Sequence, residues 1–450
     1  MISLNKKEPL ILLVGDVFFF LVSLWLALFL RNIEIPTKDV FLSHLEPFGF
    51  LFVVWVVMFY IAGLYEKHTL LLKSKLPGIL FNTLITNSAI AVMFFYLIPY
   101  FGITPKTILF IYLIVSFLAI LFWRIYGYFF VGVQKVDNAL IIGSGEEMRE
   151  LIEEVNENPL YNLRFISSVD LERVENSTFW DEIVSRIYSE NVAIVAIDLA
   201  HEKVAPVLPH LYNLIFSKVQ FVDMHKVYED IFSRVPLSLL KYNWFLENIS
   251  TAPRVTYDLL KRFMDILLAL ILGILSLIIY PFVILAIKLE DGGPAFIHFE
   301  RIGKNNLPIK ITKFRSMTGN DQGIYGINGK TTLQVTKVGQ FLRTSRIDEL
   351  PQLWDVLTGD ISLIGPRPEL PTLVKKYEEE IPYYNVRHLI KPGLSGWAQI
   401  YGEHAHHGAD IMMTKNKLSH DLYYIKNRSF TLDLKIALKT IKTLLSRVGI

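Results

Sequence analysis

Cysteine is absent from the chain, so it has no disulfide framework, no thiolate metal site and no thiol nucleophile, which fits a reducing compartment. Net charge is nearly absent too, +2 over 450 residues, and no concentrated basic face marks a nucleic-acid partner. Charged residues make up only 20% while hydrophobic ones reach 52%, more apolar than an ordinary soluble domain. The first apolar run lacks a small-residue cleavage site and is therefore read as a retained span, not a signal peptide.

What is there begins with four long apolar runs, Leu10–Leu30, Phe48–Tyr65, Ile79–Tyr100 and Thr107–Val131. Each approaches the ~20 residues a helix needs to cross ~30 Å of hydrocarbon. Asp16 and Arg124 interrupt the first and fourth, and Arg124 is expected to snorkel to the interface. Lys6 and Lys7 precede the first run, and Lys67, Lys73 and Lys75 separate the second from the third. The other connections carry Arg31 with Lys38, and Lys106. The positive-inside rule then puts the N-terminus and everything after Val131 in the cytoplasm.

From Val136 the pattern changes. Asn138–Ile142 reads as a buried strand, followed by Gly143-Ser144-Gly145 and a helical stretch from Glu146 to Glu157. Further strands are expected at Val192–Ile197 and Val219–Val222, ending at Asp198 and Asp223. Alternating strands and helices predict a parallel, doubly wound sheet. Strand, Gly-x-Gly and helix open a dinucleotide-binding fingerprint, but Met148 stands where its third glycine belongs. Asp170 is a stand-in for the acidic residue expected after the next strand. A structural or regulatory remnant and a working nucleotide site both remain open.

After Pro253 a basic flank, Lys261-Arg262, precedes Asp265 and an apolar run from Ile266 to Ile287. A fifth crossing would carry the rest of the chain outside the cell. Pro281 kinks a helix by removing a donor and crowding the previous turn. A helix that enters, bends and returns to the same face satisfies both facts.

Polar blocks then follow in order: Glu300-Arg301-Ile302-Gly303, Lys313-Phe314-Arg315-Ser316-Met317, Thr344 to Leu353 with Asp348-Glu349 inside, Gly359 to Pro368 with Pro366-Arg367-Pro368, and Lys391 to Gly396. Two adjacent carboxylates beside Arg343 and Arg346 suit phosphoryl transfer, since a carboxylate can attack phosphorus or hold magnesium. Arg315 and Arg367 offer bidentate donors to phosphate. The glycine-rich Lys391–Gly396 turn can offer N–H groups to an anion. A simpler reading makes Ser345 a helix N-cap, with Asp348 and Glu349 in the first turn. His404, His406 and His407 look like a metal cluster or a loop. At the end, Leu434, Leu438, Ile441 and Leu445 share one helical face, with Lys435, Lys439, Lys442 and Arg447 largely elsewhere, a pattern that suits an interfacial helix or a packed one.

Over about Arg254–Ile450 these blocks resemble the bacterial sugar transferase family, the polyprenyl-phosphate hexose-1-phosphate transferases that start capsule, exopolysaccharide and O-antigen synthesis. The whole layout is similar to the family's long form. The resemblance implies a membrane protein with an α-helical transmembrane bundle (1–135), an α/β Rossmann-like cytoplasmic domain (136–250) and an α+β catalytic domain (251–450). A re-entrant membrane helix at about 258–290 would break at Pro281. It implies transfer of a hexose 1-phosphate from a UDP-sugar to undecaprenyl phosphate, with UMP released through a covalent aspartyl-phosphosugar.

By the same resemblance Asp348 is the nucleophile and Glu349 the ligand of Mg2+. Lys313, Arg315, Arg367, Arg387 and Asp421 would bind substrate phosphate. The setting is the bacterial inner (cytoplasmic) membrane, catalytic domain on the cytoplasmic face, with a homodimer among the assemblies allowed and no nucleic acid. Phe299 departs from the family's usual glutamine, Tyr280 from its serine before Pro281, and Thr332 to Thr336 from its Asp-x-Arg-x-Thr. An NAD-dependent sugar-nucleotide oxidoreductase built on the middle domain is the rival enzyme, weakened by Met148 and by the lack of Tyr-x-x-x-Lys within 136–250. A membrane scaffold is the non-enzymatic rival.

Overall fold

A computed structural model describes residues 8–65, 76–97, 106–126, 136–158, 161, 163–173, 179–205, 208–217, 219–249, 254–318, 333–402 and 410–446. Lys6, Lys7, Lys67, Lys73, Lys75, Thr332, His404, His406, His407 and Arg447 lie outside the described residues. The chain divides into two compact units, Met1–Val227 and Tyr228–Ile450.

The first unit opens with four helices, Glu8–Asn32, Lys38–Ile61, Leu76–Leu97 and Lys106–Tyr126, each long and apolar enough to cross a membrane. A helix satisfies its own backbone groups, as hydrocarbon demands. Phe20, Phe48, Trp55, Phe59 and Tyr112 fill the bundle core, while Phe18, Phe50, Phe81 and Phe110 face outward. Gly15 allows the first and fourth helices to approach, because a Cβ there would run into the Trp123 ring.

Arg124 does not snorkel. Its side chain is buried and ion-paired with Asp16, and it donates to the Leu64 carbonyl at 2.6 Å. The Tyr65 hydroxyl completes the cluster, donating to Asp16 at 2.8 Å. A buried charge that reaches a partner keeps it, since either one alone in an apolar bundle would be costly.

The sheet of this unit is β1 (Asp137–Gly143), β2 (Leu163–Asp170), β3 (Ile194–Ile197) and β4 (Gln220–Asp223), all parallel in the order β2-β1-β3-β4. The expected strands are present, and β2, ending at Asp170, lies between them in sequence. β1 and β3 are buried on both faces, hence their unbroken apolar runs. The helix Gly145–Glu157 leaves the end of β1 and buries Met148, Leu151 and Val155. Met224 packs over the end of β1, where a Cβ on Gly143 would stand 2.6 Å from its sulfur. His225, behind it, lies 3.5 Å from both Asp198 and Asp223.

The second unit takes in residues 228–249, which the sequence boundary at 250 assigned to the middle domain. The reason is packing: Val235 and Trp244 share a core with Leu373, Tyr377, Leu418 and Leu422. The helices Val255–Leu277 and Tyr280–Asp291 meet at a break, bent by 55°. Pro281 lies in the first turn of the second, so the bend comes just ahead of it. Leu259, Phe263, Ile274, Ile278, Phe282 and Leu289 are exposed along the pair. On the inner side Asp265 accepts from the Ser362 hydroxyl at 2.7 Å and the Leu363 N–H at 3.1 Å. Tyr280 fits its place because its ring packs on Phe296 and Phe314 and its hydroxyl accepts from Trp354 at 3.2 Å.

Beyond the break come the antiparallel hairpin β5 (Phe296–Ile302) and β6 (Pro308–Phe314), and a short parallel pair, Ser362–Ile364 with Gly393–Ser395. The last two helices, Ile411–Asn427 and Phe430–Ser446, close the unit. In the final helix Phe430, Leu434, Ile441 and Leu444 are exposed and Ile436 is buried. Lys435 and Lys439 turn inward, 5.1 Å from the Trp397 ring and 4.0 Å from the Tyr401 ring.

Candidate active site

The hairpin sets the first functional side chain. Ile297, Phe299 and Arg301 alternate along one face of β5, and their partners across the strands are Lys313, Ile311 and Ile309. Lys313 stands at the end of that face. Its Nζ is 2.7 Å from Glu349 and 3.9 Å from Asp348.

The carboxylates sit on a tight turn. The helix Lys337–Thr344 ends, Arg346 adopts a left-handed φ of 58°, and a 3-10 turn covers Ile347–Glu349. Ser345 is not an N-cap here: its hydroxyl reaches back to the Phe341 carbonyl at 2.8 Å, closing the preceding helix. Asp348 is buried, and its Oδ1 has no hydrogen-bond partner among the described residues. Burial pushes the Asp348 pKa up; Lys313 opposes that less strongly.

Glu349 differs in kind. Burial alone would favour its neutral form, but Arg367 at 2.8 Å and Lys313 at 2.7 Å hold it well below the usual carboxylate range. Lys313 itself is pulled down by burial, with Glu349 working the other way. The site therefore joins a tethered anion with an untethered, desolvated one.

Arg367 arrives between Pro366 and Pro368, whose fixed φ limits the backbone on both sides. Behind it is a network that composition and spacing did not reveal. Arg387 is 1% exposed, 2.7 Å from Asp421, and donates to the Arg367 carbonyl at 2.9 Å and the Tyr384 hydroxyl at 2.8 Å. Glu369 pairs with the nearby Lys417. Burial would raise the Glu369 pKa, yet the Lys417 and Arg387 charges bring it down to about 2.

The expected phosphate ligands thus separate. Lys313 and Arg367 gather at the dyad. Arg387 and Asp421 are enclosed against each other and hold the Arg367 backbone instead of lining open space. Arg315 pairs with Asp291 at the end of the bent helices and packs against Gly293. The Lys391–Gly396 turn does not cradle an anion with its glycines: Gly393 donates to the Pro366 carbonyl at 3.0 Å and Gly396 to the Gln399 side chain at 2.7 Å. A carbonyl beyond the short strand and a helix-capping amide have taken those N–H groups.

A small pocket opens beside the dyad, with Phe299, Arg301, Lys313, Gln352, Arg367 and Leu394 among its walls. Gln352 was missed as a site residue in the sequence. It opens the helix Gln352–Thr358 just after the carboxylate turn and lines the pocket with Lys313 and Arg367.

Comparison with known proteins places this geometry. Residues 256–447 match the model of the bacterial sugar transferase family. A UDP-N-acetylgalactosamine-undecaprenyl-phosphate N-acetylgalactosaminephosphotransferase of Aeromonas hydrophila is 45% identical over 204 residues, 44% of this chain and 47% of that protein. The chain therefore spans about half the length of that relative. A UDP-glucose:undecaprenyl-phosphate glucose-1-phosphate transferase of Caulobacter vibrioides is 39% identical over 196 residues, 43% of this chain and 73% of its own. An undecaprenyl-phosphate glucose phosphotransferase of Komagataeibacter xylinus is 30% identical over 321 residues, covering 67% of this chain and 58% of its own. The matched segment contains the dyad, its two cations and the network behind them, and the chain belongs to the bacterial sugar transferase family.

Proposed function

We propose that the chain transfers a hexose 1-phosphate from a UDP-sugar to undecaprenyl phosphate, releasing UMP. The names of its relatives support that donor and acceptor. The observation that carries the mechanism is Asp348 Oδ1, buried and unpartnered beside Lys313 and Arg367. An orphaned anionic oxygen is costly to bury unless the site has a use for it.

In this reading Asp348 attacks the phosphorus that bears the sugar. A P–O bond to the second phosphate breaks, UMP leaves with the electron pair, and the phosphosugar rests on Asp348. An oxygen of the lipid phosphate then attacks the same phosphorus and frees the carboxylate. Lys313 and Arg367 offset the charge that gathers in both steps, in a partly water-excluded site. Both are already oriented by Glu349, so little reorganisation accompanies the reaction.

Magnesium belongs to the same proposal. Among the described residues no three His, Asp or Glu side chains group to hold a metal. Mg2+ does not require such a cage, since it binds through one or two carboxylates, substrate phosphates and water. The Glu349 Oε2, whose pair with Arg346 is a loose 3.8 Å, fits that donor set. Glu349 would hold the ion, which would add positive charge for the phosphates.

The bent helix pair is read as re-entrant and the second unit as lying on the cytoplasmic face of the inner membrane. The 55° bend and the exposed apolar residues along it support this. The sheet of the first unit is read as Rossmann-like without a redox role, supported by Met224 over Gly143 and Met148 in the helix after it.

The test is UMP release from a panel of UDP-sugars. With lipid phosphate present, turnover is expected. Without it, release should stop at about one UMP per active site, as a covalent intermediate requires. A direct transfer would release none.

A further inference from the structure

We infer that the pocket beside the dyad receives the nucleobase of the sugar donor, with Phe299 as its stacking platform and a specificity-determining residue. The inference rests on the proposed donor being a nucleoside diphosphate sugar, and it goes beyond the reaction to how that donor is held.

The argument starts from strand geometry. Phe299 pairs with Ile311, and Lys313 stands two residues further along β6 on the same face. Two strand residues span about 7 Å. Lys313 and Arg367 mark the phosphate end, because they are the cations that meet the carboxylates. Phe299 therefore lies one short step from the phosphates, a gap of the kind a ribose bridges. Arg301 puts its guanidinium 5.9 Å from the Phe299 ring centre, so this end carries a flat apolar surface beside a flat cation. Aromatic rings and arginine planes are the surfaces on which bases stack. Gln352, 5% exposed in the same wall, brings an amide with both donor and acceptor, suited to the imide edge of a pyrimidine.

The alternatives fit less well. A polyprenyl tail is apolar and needs a groove free of charge, whereas Arg301, Lys313 and Arg367 line this one. In an in-line displacement UMP leaves opposite Asp348 while the sugar stays on the attacked phosphorus at the side, so the group that extends away from the dyad past Lys313 and Arg367 is the nucleotide.

The experiment measures equilibrium binding of UMP and, separately, of hexose 1-phosphate to the purified full-length chain, alongside transfer from a UDP-sugar. Phe299→Ala should weaken UMP binding about tenfold, the scale of one lost stack. Phe299→Tyr, which keeps a ring, should restore it, and hexose 1-phosphate binding should follow neither change. In turnover the loss should fall on KM for the donor and not on KM for the lipid. Equal UMP affinity in the wild type and Phe299→Ala would overturn the inference even if transfer proceeds. So would a wild type that does not bind UMP. Conversely, UMP binding that depends on Phe299 in a protein that transfers no sugar phosphate would uphold the pocket and defeat the reaction. Thermal melts of each variant separate misfolding from lost stacking.

Discussion

Glu349 holds the Lys313 ammonium at 2.7 Å, and Asp348, its neighbour in sequence, receives nothing as close. Adjacent carboxylates should therefore fail differently. Asp348→Asn removes the attacking charge, and transfer should fall on the order of 10³-fold or more, with UMP release lost in both the presence and absence of lipid. Glu349→Gln leaves Lys313 and Arg367 without their shared anion. It should lower the rate with a partial recovery at high magnesium. Substantial transfer by Asp348→Asn, checked by mass spectrometry for deamidation, would falsify the nucleophile assignment.

The acid limb of the rate profile should follow from the same burial. The Asp348 pKa is raised above its ordinary 3.8, mainly by desolvation. In the proposed reaction the attacking form is the anion, so activity should fall as pH drops through a value above 3.8. Arg346→Gln removes a nearby positive charge and should move that limb further up. A limb that shifts downward would count against Asp348 as the group that titrates.

Arg387 is expected to act through Arg367, since it touches the Arg367 carbonyl and is enclosed by Asp421 and Tyr384. Arg387→Ala would strand Asp421 and cost about 3–5 kcal/mol of stability, so it is a poor probe. Arg387→Lys keeps the charge while losing the fork. It should reduce kcat, and its effect should be strongly non-additive with Arg367→Lys in a double-mutant cycle. Additive losses would point to two separate contacts with substrate.

The network behind the dyad predicts an acid transition in stability. Burial first, and the Arg387 charge second, bring the His388 pKa from 6.5 down to about 3. The unfolded chain binds a proton below pH 6.5 and the folded chain does not until about pH 3. This group's stabilisation is therefore complete above 6.5 and lost as pH falls toward 3, at most about 1.4 kcal/mol per pH unit. Glu369, lowered from 4.5 to about 2, adds its own loss below pH 4.5. His388→Gln should flatten the dependence of the melting temperature between pH 6.5 and 4.5 and leave the steeper part below it. An unchanged curve would mean that His388 does not titrate differently on folding.

Topology can be read by labelling because the chain contains no cysteine of its own. Asp258, in the first turn of the bent pair, and Lys304, beyond its end, are both exposed and can each be changed to cysteine. In oriented vesicles an impermeant reagent should reach both from the same side. Reaction from opposite sides would make the pair a fifth crossing.

Long-period features were legible in the sequence: four apolar runs, alternating strands and helices, and a proline near the break. Asp348, Glu349, Lys313 and Arg367, which the structure brings together, were also legible as a group, because each stands in a short polar block. What escaped was pairing across distance. Arg124 looked like a surface anchor because Asp16 is 108 residues away. Arg387 and Asp421 entered as phosphate ligands through the family resemblance, and their burial against each other is invisible before folding. Val235 and Trp244 fell on the wrong side of a boundary since their partners begin more than a hundred residues later.

The final helix has a consequence for how the chain comes into being. Asp433 accepts from the Tyr257 hydroxyl at 2.8 Å, across 176 residues, and from Tyr424 at 2.7 Å, while Lys261 pairs with it at 3.1 Å. Lys435 and Lys439 lie against the Trp397 and Tyr401 rings. The opening turns of the bent helix pair thus wait, during synthesis, for Asp433, 176 residues later. The four apolar helices leave the ribosome long before, so the chain is held at the membrane while its transferase half is still incomplete. A chain cut short before Asp433 should leave Tyr257, Lys261 and Tyr424 without their shared carboxylate, and limited proteolysis should cleave its second unit more readily than that of the longer chain.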